Sequence, residues 1–310
     1  MNDRVMPDGL ARQAVERACP GIEVRCVRPV AAGHSGDHWL VDTDDGRLLL
    51  KVPRRITDPG HFRHLVAAAN RAVEAGLPVP RFRSFVPFDE IVGGPVLVQE
   101  YVPGRMATEA WPHLTPAERH RVSAQIGELV ARLHQTKGDA LTDVLGDRPY
   151  PSIADYAEKI LRQALAETTD VSLDVVGGWK SVETVVRSAV ERIGVVEPTL
   201  VHLDLYLDNI LLAEDGAEVA AIIDFEHARF SDQYEEFGKI TDLLFDWHPQ
   251  TREPFLRAYA DVHPLDDQAW QRIDAHVGLY NVRMCGYFRR WQPNLVADYQ
   301  KRIAEWMADR

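Results

Sequence analysis

Between Val201 and Leu212 the chain reads VHLDLYLDNILL. Apolar runs of this length normally become buried strands, and buried strands avoid carboxylates. This run nevertheless holds His202, Asp204, Asp208 and Asn209. The acids are compatible with it only if a strand ends near His202, a loop follows, and a second short strand begins at Ile210. A hairpin signal, Glu214-Asp215-Gly216, then leads into a further apolar run, Val219–Ile223, that ends on Asp224. Strands and loop arranged this way bring Asp204, Asn209 and Asp224 to one sheet edge. An amide oxygen and a carboxylate are hard oxygen ligands, suited to a Mg²⁺ shared with phosphate groups. A carboxylate left free of the metal can accept a proton from a substrate hydroxyl.

The rest of the chain divides by pattern. Leu10 to Cys19 predicts a short amphipathic helix closed by Pro20-Gly21. Strands are expected over Glu23–Val30, His38–Asp42 and Arg47–Val52, the last two joined across Asp44-Asp45-Gly46. A helix over Phe62–Ala75 is stopped by Gly76 and Pro78, and two more strands follow, Phe82–Phe88 and Pro95–Tyr101. After Pro103-Gly104 the period becomes helical, over 116–134, 152–167 and 181–193, and helices resume from Glu235. Strands first and helices later predict an α+β protein in two lobes. The first, residues 1–102, has a five-stranded, mostly antiparallel sheet plus a helix. The second, residues 103–310, is mainly helical and carries the loop, the metal ligands and the acceptor site.

His-x-Asp-x-x-x-x-Asn followed by a strand ending in Asp is the phosphotransfer pattern of the protein-kinase-like superfamily. Lys51 ends the third strand, where a lysine would reach nucleotide phosphates. The turn AAGHSGDHW contains Gly33, Ser35 and Gly36, small residues that let backbone N–H groups approach phosphate oxygens. The segment VLVQEYVPG ends the fifth strand, so Glu100 and Val102 stand where backbone groups would meet a nucleotide base.

Together GLPVPR, VQEYVPG, ARLH, HLDLYLDN and IIDFE occur in the order of the aminoglycoside phosphotransferase family of antibiotic and small-molecule kinases, which the chain resembles over roughly residues 25 to 250. That resemblance implies a two-lobed kinase fold, ATP or GTP as donor, Mg²⁺, and transfer to a hydroxyl of a small molecule. It implies Asp204 as the base orienting the acceptor, Asn209 and Asp224 as metal ligands, Lys51 as the phosphate lysine, and Glu226 as support for the metal site. His202 is expected to brace the loop, and Asp208 to be a solvated loop acid. Two positions depart from the family pattern. Leu203 stands where the family usually has glycine. The glutamate expected on the helix after strand three, to pair with the lysine, is missing near His64, which leaves Asp58 or a more distant residue for that part.

The acceptor site is expected beyond Asp224. Asp232, Glu235 and Glu236, with Glu235, Lys239, Asp242 and Asp246 at helix spacing, suggest an acidic face for ammonium groups. Trp247, Tyr280, Tyr287, Phe288 and Trp291 could add cation–π contacts. The expected acceptor is a cationic antibiotic, an aminoglycoside or a viomycin- or capreomycin-type peptide, and the expected outcome is antibiotic resistance. The alternatives are a choline- or ethanolamine-like metabolic kinase and a nucleotide-binding pseudokinase module. A net charge of −12 argues against nucleic acid and anionic lipid as partners. No apolar stretch is long enough to span a membrane. Three scattered cysteines, Cys19, Cys26 and Cys285, fit a reducing cytoplasm.

Overall fold

The computed structural model describes residues 6–30, 36–168, 171–214, 216, 218–308 and 310. It opens on α1 (Asp8–Ala18), whose buried Ala11, Ala14, Val15 and Ala18 recur at helical spacing. Strands β1 (Val24–Val30), β2 (Gly36–Thr43) and β3 (Gly46–Pro53) follow as a meander, and Thr43 faces Gly46 across the tight turn. Helix α2 (Pro59–Glu74) comes next, then β4 (Phe82–Asp89) and β5 (Gly94–Glu100). All pairings in this sheet are antiparallel, in the order β1-β2-β3-β5-β4. Trp39, Val41, Leu50, Val96 and Val98 alternate inward and form one core with the apolar face of α1.

Helix α2 begins a turn earlier than its apolar period suggests. The Asp58 carboxylate accepts the Gly60 N–H at 2.9 Å and Pro59 occupies the first turn, both favourable at a helix start. Asp58 is therefore the cap of α2, and the extra turn brings His61 into the helix.

Beyond β5 the chain forms a short strand β6 (Arg105–Met106), the single turn α3 (Ala107–Ala110), α4 (Pro116–Leu133), a short strand β7 (Thr142–Asp143), α5 (Ile153–Thr168), α6 (Gly178–Glu191) and β8 (Thr199–Val201). The loop 202–209 leads to β9 (Ile210–Leu212), β10 (Val219–Ile222) and β11 (Arg229–Ser231). The helices α7 (Glu236–Ile240), α8 (Arg252–Ala260), α9 (Asp267–Trp291) and α10 (Val296–Ala308) complete the chain.

Two small sheets, β10-β9-β6 and β7-β11-β8, come from segments too short to show a period in the sequence. By their contacts the described residues divide into two compact units. One is Met1–His113 with Asp208–His227; the other is Leu114–Leu207 with Ala228–Arg310. In the second unit, Leu161 of α5, Val182 and Val186 of α6, Val282 of α9 and Ile303 of α10 meet in one core. Among the described residues no helix is long and apolar enough to cross a membrane.

Helix α4 starts on a reciprocal cap, in which Glu118 N–H donates to the Thr115 hydroxyl and Thr115 N–H to the Glu118 carboxylate. Further along, it lies against α8 at Gly127, where a Cβ would fall 2.3 Å from the Phe255 carbonyl oxygen. Backbone sits on both sides of that contact and cannot swing away. Gly127→Ala should therefore lower the unfolding free energy by about 1–3 kcal/mol, visible as a reduced urea midpoint with an unchanged slope.

Candidate active site

The first unit holds the lysine and the residues that flank the β9–β10 hairpin. Lys51, near the end of β3, faces the carboxylates of Asp224 and Glu226; burial lowers its pKa below the ordinary ammonium value and the two acids oppose that shift. The lysine thus finds its counter-charges on the segment after β10. His61, in the first turn of α2, places Nε2 2.9 Å from Glu226, and this hydrogen bond raises the imidazole pKa above its usual value. A histidine on α2 and a glutamate next to the metal-type aspartate therefore stand where a helix glutamate was sought.

Ile223 N–H donates to the Asn209 carbonyl at 3.0 Å, and Ile222 pairs with Ile210. Asn209 and Asp224 consequently sit at the same end of the hairpin. Asp224 adopts φ 68°, a left-handed conformation that aspartate tolerates better than most residues. An amide oxygen and a carboxylate so placed suit a Mg²⁺ that takes its remaining ligands from phosphate oxygens and water. Asp208 accepts a hydrogen bond from the Thr108 hydroxyl.

Gly33 and Ser35 lie outside the described residues. Gly36 opens β2 opposite Pro53, and a Cβ there would fall 2.4 Å from the Val52 carbonyl oxygen. Close strand approach is therefore one physical reason for that glycine. At the end of β5, Glu100 N–H donates to the Arg81 carbonyl at 2.8 Å and its carboxylate lies 3.1 Å from Arg83. Val102 follows two residues later.

The second unit holds Asp204. His202 is almost fully buried, and its Nδ1 accepts the Asp204 N–H at 3.2 Å. The loop is fastened by Glu236, a fully buried carboxylate on α7. It accepts the N–H of His202 at 2.6 Å and that of Leu203 at 2.8 Å. Burial raises the Glu236 pKa, but His134, His202 and the His202 N–H outweigh it and hold the carboxyl below its ordinary value. His134 Nε2 lies 3.7 Å from Glu236, while His134 Nδ1 and the Tyr259 hydroxyl are 2.9 Å apart.

Leu203 has φ 64°, which costs a residue with a Cβ about 1–2 kcal/mol. A glycine would adopt that conformation freely, and the paired hydrogen bonds that His202 and Leu203 N–H donate to Glu236 hold leucine there instead. Lys239, one helical turn beyond Glu236 on the same face of α7, places Nζ 2.8 Å from Asp204 Oδ1 and 5.1 Å from the Tyr206 ring centroid.

The acids expected to receive a cationic acceptor turn inward. Asp232 is fully buried, accepts the Tyr234 N–H at 3.1 Å, lies 2.9 Å from His276 Nε2 and pairs with the Arg272 guanidinium. Burial raises its pKa, and His276 and Arg272 more than reverse this, to about 2. Glu235 is bound by Arg229 and the Ser231 hydroxyl. Glu236 braces the loop. Asp242, on a single π-helical turn (Thr241–Phe245), accepts from the hydroxyls of Tyr280 and Tyr299 and pairs with Arg302, which also holds Asp246. The expected acidic face is thus consumed by internal pairing. Of the aromatics, Phe288 stacks on Tyr299, and Trp247, Tyr287 and Trp291 are exposed.

Sequence reading missed Glu236 as a loop brace, Lys239 as the partner of Asp204, and His61. Glu236 and Lys239 left one signal, an i, i+3 pair; nothing local tells that their face meets the loop.

Residues 27–276 match the family model described as the phosphotransferase enzyme family. Among curated proteins, the chain is 25% identical over 246 residues to acyl-CoA dehydrogenase family member 10 of Mus musculus, covering 74% of this chain and 21% of that protein. It is 26% identical over 183 residues to acyl-CoA dehydrogenase family member 11 of Rattus norvegicus, covering 57% and 22%. The chain thus spans about a fifth of the length of these curated relatives.

Among solved structures, the GDP complex of wild-type aminoglycoside 2'-phosphotransferase-IIIa superposes with a TM-score of 0.67 at 15% identity, over 98% of this chain and 99% of that one. Aminoglycoside phosphotransferase APH(4)-Ia gives 0.66 at 18% identity over 96% and 97%. A thermostable mutant of the latter, in ternary complex with ADP and hygromycin B, gives 0.62 at 19% identity over 96% and 97%. At these identities the likeness is one of fold.

The Asp232 cluster makes a prediction about acid. A carboxyl whose pKa falls from 3.8 to about 2 on folding contributes stability above the higher value and loses it as pH drops through the lower one. Wild-type stability should therefore decline between roughly pH 4 and pH 2 partly through this group. Asp232→Asn should cost about 3 kcal/mol near neutrality, because His276 and Arg272 lose their counter-charge, and should flatten that acid decline in denaturant titrations.

Proposed function

The chain belongs to the phosphotransferase enzyme family, and from that premise we propose that it is an O-phosphotransferase that moves the γ-phosphate of ATP or GTP, with Mg²⁺, to a hydroxyl group of a small molecule. The observation that carries this reading is the Lys51–Asp224–Glu226 charge set at the end of the β9–β10 hairpin, with Asn209 beside it. Lys51 supplies positive charge for phosphate oxygens. Asn209 and Asp224 are the residues that would hold Mg²⁺, which when bound neutralises charge on the transferring group. Glu226 and His61 hold the aspartate's neighbourhood. Glu100 N–H is committed to the Arg81 carbonyl, and its carbonyl and the Val102 N–H are the groups assigned to a base edge. Gly36 keeps its assignment to the phosphate turn as part of the same reading, together with Gly33 and Ser35.

Asp204 takes the acceptor's proton. His202 and Glu236 fix the loop that aims it, and Lys239 pairs with it. Chemistry of this kind is mostly positioning and electrostatics, so a pre-fastened loop is what the protein has to provide. Neighbours holding GDP and ADP support a nucleotide donor. The pseudokinase alternative loses its motive, because Lys51 has two carboxylates without a helix glutamate. A cytoplasmic location rests on the free cysteines alone.

A second reading, a cationic antibiotic as acceptor with resistance as the outcome, is favoured by one observation: the similar fold that binds hygromycin B. Choline- or ethanolamine-type amines belong to the same charge class. Expression in a sensitive bacterium, scored against aminoglycosides and cationic peptides, tests it; protection against none removes it.

For the main reading, Asp204→Asn should lower the transfer rate by about 10²- to 10⁴-fold, while Mg²⁺–nucleotide binding by calorimetry stays as in the wild type. Unchanged turnover in that variant would overturn the assignment of Asp204.

A further inference from the structure

The loop that carries Asp204 has no cation of its own. Between Asp204 and Asn209 stand Leu205, Tyr206, Leu207 and Asp208, so this stretch holds two carboxylates and neither lysine nor arginine. Phosphoryl transfer brings further negative charge to the base. The acceptor oxygen within hydrogen-bond reach of Asp204 is the atom that the phosphorus joins. Like charges that close oppose each other unless a cation stands beside them.

Such a cation comes from α7. Glu236 and Lys239 lie three residues apart and share one face of that helix. Glu236 accepts the N–H groups of His202 and Leu203, and this fastening carries Lys239 to the next part of the loop. There Nζ lies 2.8 Å from Asp204 Oδ1 and 5.1 Å from the Tyr206 ring centroid. The side chains of Lys239 and Asp204 are 20% and 16% exposed, so the pair is largely withdrawn from water yet open to a ligand. An ammonium has three donors, and a single carboxylate oxygen does not use them all. An acceptor oxygen about 3 Å from the carboxylate puts the phosphorus it joins one bond further on, within reach of an ammonium that already touches that carboxylate.

Resting on the phosphotransferase reading, we propose that Lys239 is a second catalytic residue, an ammonium that pairs with Asp204 before transfer and with the oxygens of the transferring phosphoryl group during it. The acceptor oxygen bonds to the γ-phosphorus, and the bond from that phosphorus to the bridging oxygen of the nucleotide breaks. The acceptor's proton passes to Asp204, and the nucleoside diphosphate leaves with the bonding pair. Neutralised, Asp204 no longer balances Lys239, whose charge turns to the phosphoryl oxygens. Lys239 keeps its own proton throughout. The cation is thus released when the transferring group needs it, and α7 supplies both the brace of the loop and the charge that works on it.

The test uses the full chain with MgATP and MgGTP. Release of nucleoside diphosphate is followed with water as acceptor, and with choline, ethanolamine and hygromycin B. Binding of aluminium fluoride, which imitates a phosphoryl group in transfer, is followed by calorimetry in the presence of Mg²⁺ and nucleoside diphosphate. Lys239→Gln keeps a hydrogen-bond donor and loses the charge; Lys239→Arg keeps both. Lys239→Gln should lower kcat about 10²-fold with the nucleotide KM unchanged, and weaken aluminium fluoride at least about tenfold. Lys239→Arg should restore both readouts to within about tenfold of the wild type. In an Asp204→Asn background, Lys239→Gln should weaken aluminium fluoride again, since a lysine that acts only through Asp204 has nothing further to lose there.

Turnover by Lys239→Gln equal to that of the wild type overturns the proposal. Reduced turnover with aluminium fluoride held as tightly as by the wild type also overturns it, and makes Lys239 a residue that positions the base. Where the wild type turns over none of these acceptors, aluminium fluoride affinity decides by the same criteria. A wild type that binds neither nucleotide, or that binds nucleotide but neither turns over nor holds aluminium fluoride, counts against the phosphotransferase reading itself.

Discussion

A single buried carboxylate organises the loop around Asp204. Glu236 has no exposure to water, so its charge must be met from inside. It is met by two adjacent backbone N–H groups, of His202 and Leu203, and by the imidazole of His134 behind it. Those bonds form with the backbone bent left-handed at Leu203. The bend in turn sets the direction in which Asp204 leaves the loop. Backbone strain of about 1–2 kcal/mol is small beside the cost of leaving a buried carboxylate unmet, so the arrangement is self-enforcing. His202 closes it by accepting the Asp204 N–H.

The same logic explains why an acidic chain need not carry an acidic pocket. Net charge counts residues; a site responds to those whose partners are missing. Asp232, Glu235, Asp242 and Asp246 have each acquired an arginine from another element. Paired internally, they act as struts for the helical core.

The lysine in the first unit illustrates a substitution of parts. Its electrostatic need is for negative charge nearby, whatever element supplies it. Asp224 and Glu226 provide that charge from the segment after β10, and α2 contributes His61 to hold Glu226. The early start of α2 on its Asp58 cap is what makes this possible, since a helix beginning at Phe62 would leave His61 in the preceding turn.

What the sequence determined by itself was local or strictly ordered. Alternating apolar residues and tight turns marked the five strands. The 3.6 period marked α4, α5 and α6. The order of Lys51, Asp204, Asn209 and Asp224 was legible because the chemistry needs particular residue types at the ends of particular strands. Tertiary structure alone decided who pairs with whom. Asp232 and Arg272 are forty residues apart, Glu236 and His202 thirty-four, and nothing local distinguishes a carboxylate that will be met from one left for a ligand. Burial and long-range approach set that difference, so the acids read as a ligand surface became scaffold.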